Sequence, residues 1–237
     1  MRIISGKSRG TKLHSLEGDT TRPTLDRVKE SLFNIIQNEI QESFFLDLFS
    51  GSGAIGLEAA SRGAKEVILC EKNKSAIEII KKNIEKTHLN NIVTLYEMSF
   101  EKVLDKIQNK IDIVYIDPPY KTDFVYESVK KIIEKDLLSK DGTIIIETDE
   151  EKRITKQIEN LNIKIENQRR YGRVHLIFIK IRCTRPYLLW FSIFIFKFSI
   201  CFVILFSSSV SIIIVPSLLN KSFSIIFFTD SYTKSVL

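Results

Sequence analysis

Two short stretches carry residue types that chemistry uses. "DPPY", Asp117 to Tyr120, ends the apolar run Ile111–Ile116, and "DLFSGSGAIG", Asp47 to Gly56, ends the apolar run that begins at Phe44. A proline pair stops a strand, but a stop needs neither an acid before it nor a ring after it. An exocyclic amine on a nucleobase is a poor nucleophile, because its lone pair is delocalised into the ring. The Asp117 carboxylate and the Pro118 carbonyl can accept its two N–H bonds and hold the nitrogen in place. The same acceptors stabilise positive charge as it develops there. Pro118 and Pro119 stiffen the backbone that carries them. Tyr120 offers a flat face for a base drawn out of its own stack.

The glycine stretch supplies the other half of such a reaction. Gly51, Gly53 and Gly56 follow a strand and open a helix, where a tight turn lets a ligand lie on bare backbone. Glu71 ends the next strand, where a carboxylate can accept both hydroxyl protons of a ribose. The spacing also matches the dinucleotide fingerprint, so NAD and S-adenosylmethionine both remain open on these residues. Asp47 separates them. A pyrophosphate at the helix N-terminus is repelled by an acid just before the loop, whereas a sulfonium cofactor with an ammonium group gains from it.

These residues need a frame that brings strand ends together. Leu25, Val28, Leu32, Ile35 and Ile36 recur at helical spacing and predict a helix over 25–37, with Thr24 as its cap. Short strands are expected at 2–4 and 11–16, around "SGKSRG". Strands are then predicted at 44–49, 66–71, 92–97, 111–116 and 142–148, with helices ending near Arg62 and over 75–87, 100–107, 124–135 and 150–161. Alternation of this kind predicts a parallel sheet covered on both faces, and apolar runs without strict alternation suit buried strands. Two closing strands, 163–172 and 173–181, have no helix between them and must run antiparallel. The expected organisation is an N-terminal hairpin and helix over 1–43, an α/β domain over 44–181, and a tail over 182–237.

Composition supports that division. The chain has 237 residues and a formal net charge of +6, and four of those six positive charges fall in the tail. Residues 1–14 carry Arg2, Lys7, Arg9 and Lys12 and no acid, which suits either a solvated arm or a polyanion-contacting edge. Cys70, Cys183 and Cys201 form neither a metal-ligand spacing nor an even framework, and Cys70 reads as a small core residue. No apolar signal stretch opens the chain, so a cytoplasmic location is expected. The tail contains no Gly, Ala or Glu and is uncharged from Phe198 to Asn220. That length permits one membrane span. An unselected read-through segment is the favoured reading, because the α/β domain is complete at Ile181.

With these motifs in view, residues 1–181 resemble the bacterial 16S rRNA guanine-N2 methyltransferases, within the class I S-adenosylmethionine-dependent group. The resemblance rests on "MRIISGKSRGTKL", "TRPTLDRVKESLFNI", "LDLFSGSGAIGLEAASRGA", "EK" at Glu71–Lys72, "YIDPPY" and "RRYGRVHLIFIK". DPPY is shared with DNA amino-methyltransferases, and the arm with Arg22, Pro23 and Thr24 narrows the match. The resemblance implies a Rossmann-like, seven-stranded, mostly parallel sheet with an antiparallel C-terminal hairpin. It implies S-adenosyl-L-methionine held by Asp47, Phe49, Gly51, Ser52, Gly53, Gly56, Glu71, Lys72, Ser99 and Phe100. It implies a catalytic loop of Asp117, Pro118, Pro119 and Tyr120, and an RNA side marked by Lys7, Arg9, Arg22 and Thr24. The implied substrate is a guanine amine of 16S rRNA, alone or in the assembling 30S subunit. No metal is expected, a monomer is expected, and membrane contact only through an inserted tail. One departure is Ser99, which stands where such enzymes commonly place an acid near the adenine amine, leaving backbone and Phe100 to hold the base. The alternatives are a DNA adenine or cytosine amino-methyltransferase, an NAD-dependent oxidoreductase, and a membrane-tethered binding protein governed by the tail.

Overall fold

A computed structural model describes residues 1–15, 23–119, 121–161 and 163–181, together with the backbones of 211–216 and 223–228. Residues 1–183 form one compact unit and residues 184–237 a second. Seven strands build the sheet of the first: β1 Phe44–Asp47, β2 Glu66–Glu71, β3 Val93–Glu97, β4 Ile111–Ile116, β5 Leu138–Thr148, β6 Lys164–Tyr171 and β7 Val174–Lys180. Their order is β3-β2-β1-β4-β5-β7-β6. The first five are mutually parallel, and β7 runs antiparallel to both β5 and β6.

Helices α1 Pro23–Ile35, α2 Gln37–Ile40, α3 Ala54–Ser61, α4 Lys74–Thr87, α5 Phe100–Lys106, α6 Phe124–Glu134 and α7 Glu151–Glu159 cover the sheet. Two apolar layers result. One gathers Leu32, Phe33, Leu57, Leu69, Ile80 and Phe178; the other gathers Val103, Leu104, Val129, Ile132, Ile154 and Ile158. Chain order reverses between β1 and β4, so the loops after these two strands flank a crevice at the carboxyl edge.

Several boundaries differ from the sequence expectation for identifiable reasons. Helix α1 begins at Pro23, where a missing N–H costs nothing, so Thr24 lies inside the first turn rather than capping it. The two expected N-terminal strands reduce to one antiparallel bridge, Arg2 to Lys12. Strand β5 starts at Leu138, which pairs with Ile111 ahead of a register shift. The polar run Ser139-Lys140-Asp141 reads as a turn in the sequence but is carried within the strand. In the second unit, Ser211–Pro216 (β8) pairs antiparallel with Phe223–Phe228 (β9). Within the stretch whose length permits a membrane span, residues Ser211–Pro216 form a strand rich in β-branched side chains. Among the described residues no helix is long and apolar enough to cross a membrane. The rest of the tail expectation lies outside the described residues.

The N-terminal arm is docked by a buried charge. The Glu58 carboxylate, fully buried on α3, accepts the amides of Ile4 at 2.8 Å and Ser5 at 3.0 Å. It also pairs with Lys29 of α1 at 3.2 Å and Arg62 at 2.8 Å. Gly6 follows with φ +86°, and a Cβ there would stand 1.8 Å from the Ser61 carbonyl oxygen. Removing one partner of a buried pair leaves an uncompensated charge, at about 3–5 kcal/mol. Glu58→Ala should therefore lose stability of that order in urea unfolding and open the arm to proteolysis. Adding Lys29→Met should return much of the loss; no recovery would mean that Lys29 is not the stranded charge.

Candidate active site

Strand β1 delivers Asp47 to the carboxyl edge, and the turn after it is fixed by main-chain and hydroxyl hydrogen bonds. The Ser50 hydroxyl donates to the Asp47 carbonyl and accepts the Cys70 amide, both at 3.0 Å. Gly51 has φ +54° and Gly53 φ +79°, a region that side chains disfavour. Gly56 is required for a different reason. A Cβ there would lie 2.2 Å from Leu69 Cδ2, so α3 packs on β2 without room for a methyl group. That approach brings the Gly56 amide within 3.3 Å of Asp47 Oδ2.

Asp47 is 1 % exposed, and its Oδ1 has no hydrogen-bond partner among the described residues. Burial pushes its pKa from 3.8 up to about 7, and the charge on Glu71 adds to the rise. The Gly56 amide opposes the rise. The Phe49 amide and Ser50 also lie close enough to oppose it, without completing a hydrogen bond to Oδ1. An unpaired, buried carboxylate oxygen beside open glycine backbone calls for a donor or a cation from outside.

Glu71 closes the other side of the loop. Its Oε2 accepts the Gly51 amide at 2.9 Å, and its Oε1 accepts the amides of Lys72 and Asn73 at 2.8 Å. The carboxylate thus ties the glycine loop to the start of α4 and keeps lone pairs for further donors. Asn73 caps α4 by accepting the amides of Ser75 and Ala76. Ser99 stands at the N-cap of α5 with no side-chain capping bond. Phe49, Phe100 and Phe124 form an aromatic cluster there, with centroids 5.2–6.1 Å apart. The Lys72 ammonium lies 5.4 Å from the Phe124 centroid.

Strand β4 supplies the last component. Tyr115 pairs with Asp47 across β1 and with Ile145 across β5. Asp117, two residues further, therefore emerges beside the crevice with Glu147 on its β5 side. The Asp117 side chain is exposed to solvent, yet it stands over dense structure. That partial desolvation, then Glu147, Asp47 and Asp149, hold its carboxyl well above the usual carboxylate range. The Tyr115 hydroxyl donates to Glu147, and burial followed by these charges keeps Tyr115 protonated. Neither the Asp117 carboxylate nor the Pro118 carbonyl accepts a hydrogen bond among the described residues, whereas the Pro119 carbonyl is taken by the Thr122 hydroxyl at 2.9 Å.

The crevice thus gathers Asp47, Phe49, Gly51, Ser52, Gly53, Gly56, Glu71, Lys72, Ser99, Phe100, Asp117, Pro118 and Pro119 at one edge. Tyr120 and Arg22 lie outside the described residues, as does the Thr24 side chain. Lys7 and Arg9 are elsewhere. They line cavities of about 580 and 380 Å³ with Gln41, Lys65, Thr87 and Asn91, which lie at the amino ends of β1, β2 and β3. The hairpin tip reaches that edge because the Lys7 amide bonds the Ser61 carbonyl at 2.8 Å. Sequence reasoning missed Phe124, whose signal is its place opening the helix after DPPY. It also missed Asn83, fully buried on α4. The Asn83 amide donates to the carbonyls of His14 and Ser52, and its oxygen accepts the His14 amide. Among the described residues no group of His, Cys, Asp or Glu is arranged to hold a metal ion.

Strand order, the antiparallel β7 and the glycine loop beside a strand-end acid define a class I methyltransferase fold, which sets the oxidoreductase alternative aside. Residues 1–180 match the family model described as "Conserved hypothetical protein 95", and the chain belongs to that family. It is 35% identical over 164 residues to the putative rRNA methyltransferase YlbH of Bacillus subtilis, covering 68% of this chain and 89% of the relative. It is 35% identical over 156 residues to the ribosomal RNA small subunit methyltransferase D of Haemophilus influenzae, covering 64% of this chain and 80% of the relative. The crystal structure of the putative methylase HI0767 from Haemophilus influenzae aligns with TM-score 0.63 and 31% identity, over 76% of this chain and 97% of that one.

The raised Asp47 pKa has a stability consequence. Between pH 3.8 and about 7 the unfolded chain releases this proton and the native chain keeps it. The native state then binds more protons, so this group's contribution to stability falls as pH rises, by up to about 4 kcal/mol. Asp47→Asn should match the wild type near pH 4 and exceed it increasingly toward pH 8 in urea unfolding. An offset independent of pH would show that Asp47 does not titrate in this window.

Proposed function

We propose that the chain transfers a methyl group from S-adenosylmethionine to the exocyclic N2 amine of a guanine in 16S rRNA, in the free RNA or the assembling small subunit. The observation that carries this reading is the pair of open acceptors, the Asp117 carboxylate and the Pro118 carbonyl, beside the glycine loop. The relatives' names supply the substrate class.

The residues present fit the cofactor. The unpaired Asp47 oxygen suits its cationic end, Gly51 and Gly53 leave backbone bare, and Glu71 keeps lone pairs for ribose hydroxyls. Phe100, with Phe49 and Ser99, lies where an adenine ring would rest. Bound there, the cofactor supplies an electrophilic methyl group. The protein's part is orientation and charge. Asp117 and Pro118 accept the two N–H bonds of the amine and direct its lone pair out of the ring plane. As the nitrogen becomes positive, the Asp117 carboxylate stabilises it and takes the departing proton. A carboxyl held above the usual range is a better proton acceptor than an ordinary one. The neighbouring acids Glu147 and Asp149 therefore strengthen the base while making it ionise later.

Labelled methyl should pass to N2 of guanine in 16S RNA or 30S particles lacking the modification, and not to duplex DNA. Asp117→Ala should lower kcat by about 100- to 1000-fold, the scale of one transition-state acceptor. Titration with S-adenosylhomocysteine should be nearly unchanged. Equal losses in turnover and cofactor binding would move Asp117 from the reacting amine to the cofactor. The wild-type rate should climb with pH through one ionisation above the usual carboxylate range, and Asp117→Asn should lose that limb.

A further inference from the structure

We propose that the tip of the β6–β7 hairpin is a phosphate-binding platform for the substrate RNA, formed by Arg169, Arg170 and Arg173 and extended by Arg27 of α1. This rests on the RNA-methylating reading above and names the surface that holds the polymer beside the crevice.

The position follows from strand direction. His175 pairs with Thr148, so the turn between β6 and β7 stands at the carboxyl edge, with Asp117. Strand β5 separates β7 from β4, and β5 and β7 separate β6 from it, which sets the tip about 10–14 Å to the side at a strand spacing of about 4.8 Å. A base held at Asp117 would carry its neighbouring nucleotides across that distance.

The tip is cationic and held in place. Tyr171 pairs with Val174 across a two-residue turn, Gly172-Arg173, with Gly172 at φ +64°. Arg169, Arg170 and Arg173 are exposed. Elsewhere Arg62 and Arg153 pair with acids, but these three make no ion pair among the described residues. Arg169 and Arg170 donate only to nearby carbonyls, those of Gln168 and Gly172. Strand alternation puts Arg169 and Arg170 on opposite faces of the ribbon, so the tip presents charge to both sides. Tyr171, half-buried against the core, shares a hydrogen bond with Ser31 of α1. Arg27 lies one turn before Ser31 on the same helix face and is exposed. Guanidiniums on a braced hairpin suit phosphate: their donors are fixed in a fork, and little freedom is lost on binding.

The test uses the full chain with Arg169, Arg170 and Arg173 each changed to Gln. A charge-matched control carries Lys82→Gln, Lys130→Gln and Lys164→Gln. The tip variant should keep its urea midpoint, its affinity for S-adenosylhomocysteine and its kcat. Its KM for the RNA substrate should rise about tenfold or more. By fluorescence anisotropy on a single-stranded RNA, the slope of log affinity against log salt should fall by about 2, at about 0.7 per phosphate contact. An unchanged KM and slope, or equal weakening in the control, overturns the platform. A wild-type chain that binds S-adenosylhomocysteine but methylates no rRNA overturns the functional reading instead, and the anisotropy comparison then decides the platform separately. Arg27→Gln added to the tip variant should weaken binding further; no added effect removes Arg27 from the surface.

Discussion

Gly56 sets how near α3 can lie to the sheet, because Leu69 occupies the space a methyl group would need. From that single approach the geometry of the crevice follows. It buries Asp47 and offers it only one amide. It also delivers the start of α3 to the end of β1, so the chain between must turn through left-handed glycines. The loop then bends back to Glu71, which binds it through Gly51. Burial leaves Asp47 with an oxygen that no described residue satisfies, a cost that the folded chain carries until something else meets it. Residues that are strained or unpaired in this way concentrate where a ligand completes the structure.

A second buried carboxylate does the opposite. Glu58, one turn along from the loop on α3, is met on every side: by two amides of the arm, by Lys29 and by Arg62. Its role is to fasten the arm and α1 to the helix that carries the glycine loop. Asn83 makes a parallel link, from His14 through α4 to the Ser52 carbonyl. Thus the arm touches the loop through two buried polar groups, even though its tip lies at the far edge of the sheet.

Much of the fold was legible because its signals are local. The bounds of β2 and β4 coincide with the apolar runs that announce them; β2 ends on Glu71, and Asp117 follows the last residue of β4 at the crevice. The start of β5 was not legible, since Ser139-Lys140-Asp141 has the composition of a turn and belongs to the strand only through the pairing of Leu138 with Ile111. Glu58 and Asn83 hide for the same reason. A lone acid in an apolar helix and an amide in a charged one gain most of their meaning from partners as far as 69 residues away. The edge reached by Lys7 and Arg9 depends on Gly6 meeting Ser61, a contact that no periodicity encodes.

The charge pattern resolves a conflict that the proposed chemistry would impose. A cationic methyl donor and an amine that becomes cationic both favour acids, whereas a polynucleotide is repelled by them. Asp47, Asp117, Glu147 and Asp149 crowd one crevice, where burial and then the charges of Glu147, Asp47 and Asp149 raise the affinity of Asp117 for its proton. The arginines of β6 stand about 14 Å from Asp117 and about 10 Å from Glu147 at the strand spacing, beyond the screening length of about 8 Å at physiological ionic strength. Over that distance the two fields act nearly independently. Cations at the rim can hold phosphates without weakening the acids at the centre, and the acids can hold an amine without driving off the backbone that brings it. A doubly wound sheet supplies the separation, since its strand-end loops lie in a row and one intervening pair of strands is enough to keep the two charges apart.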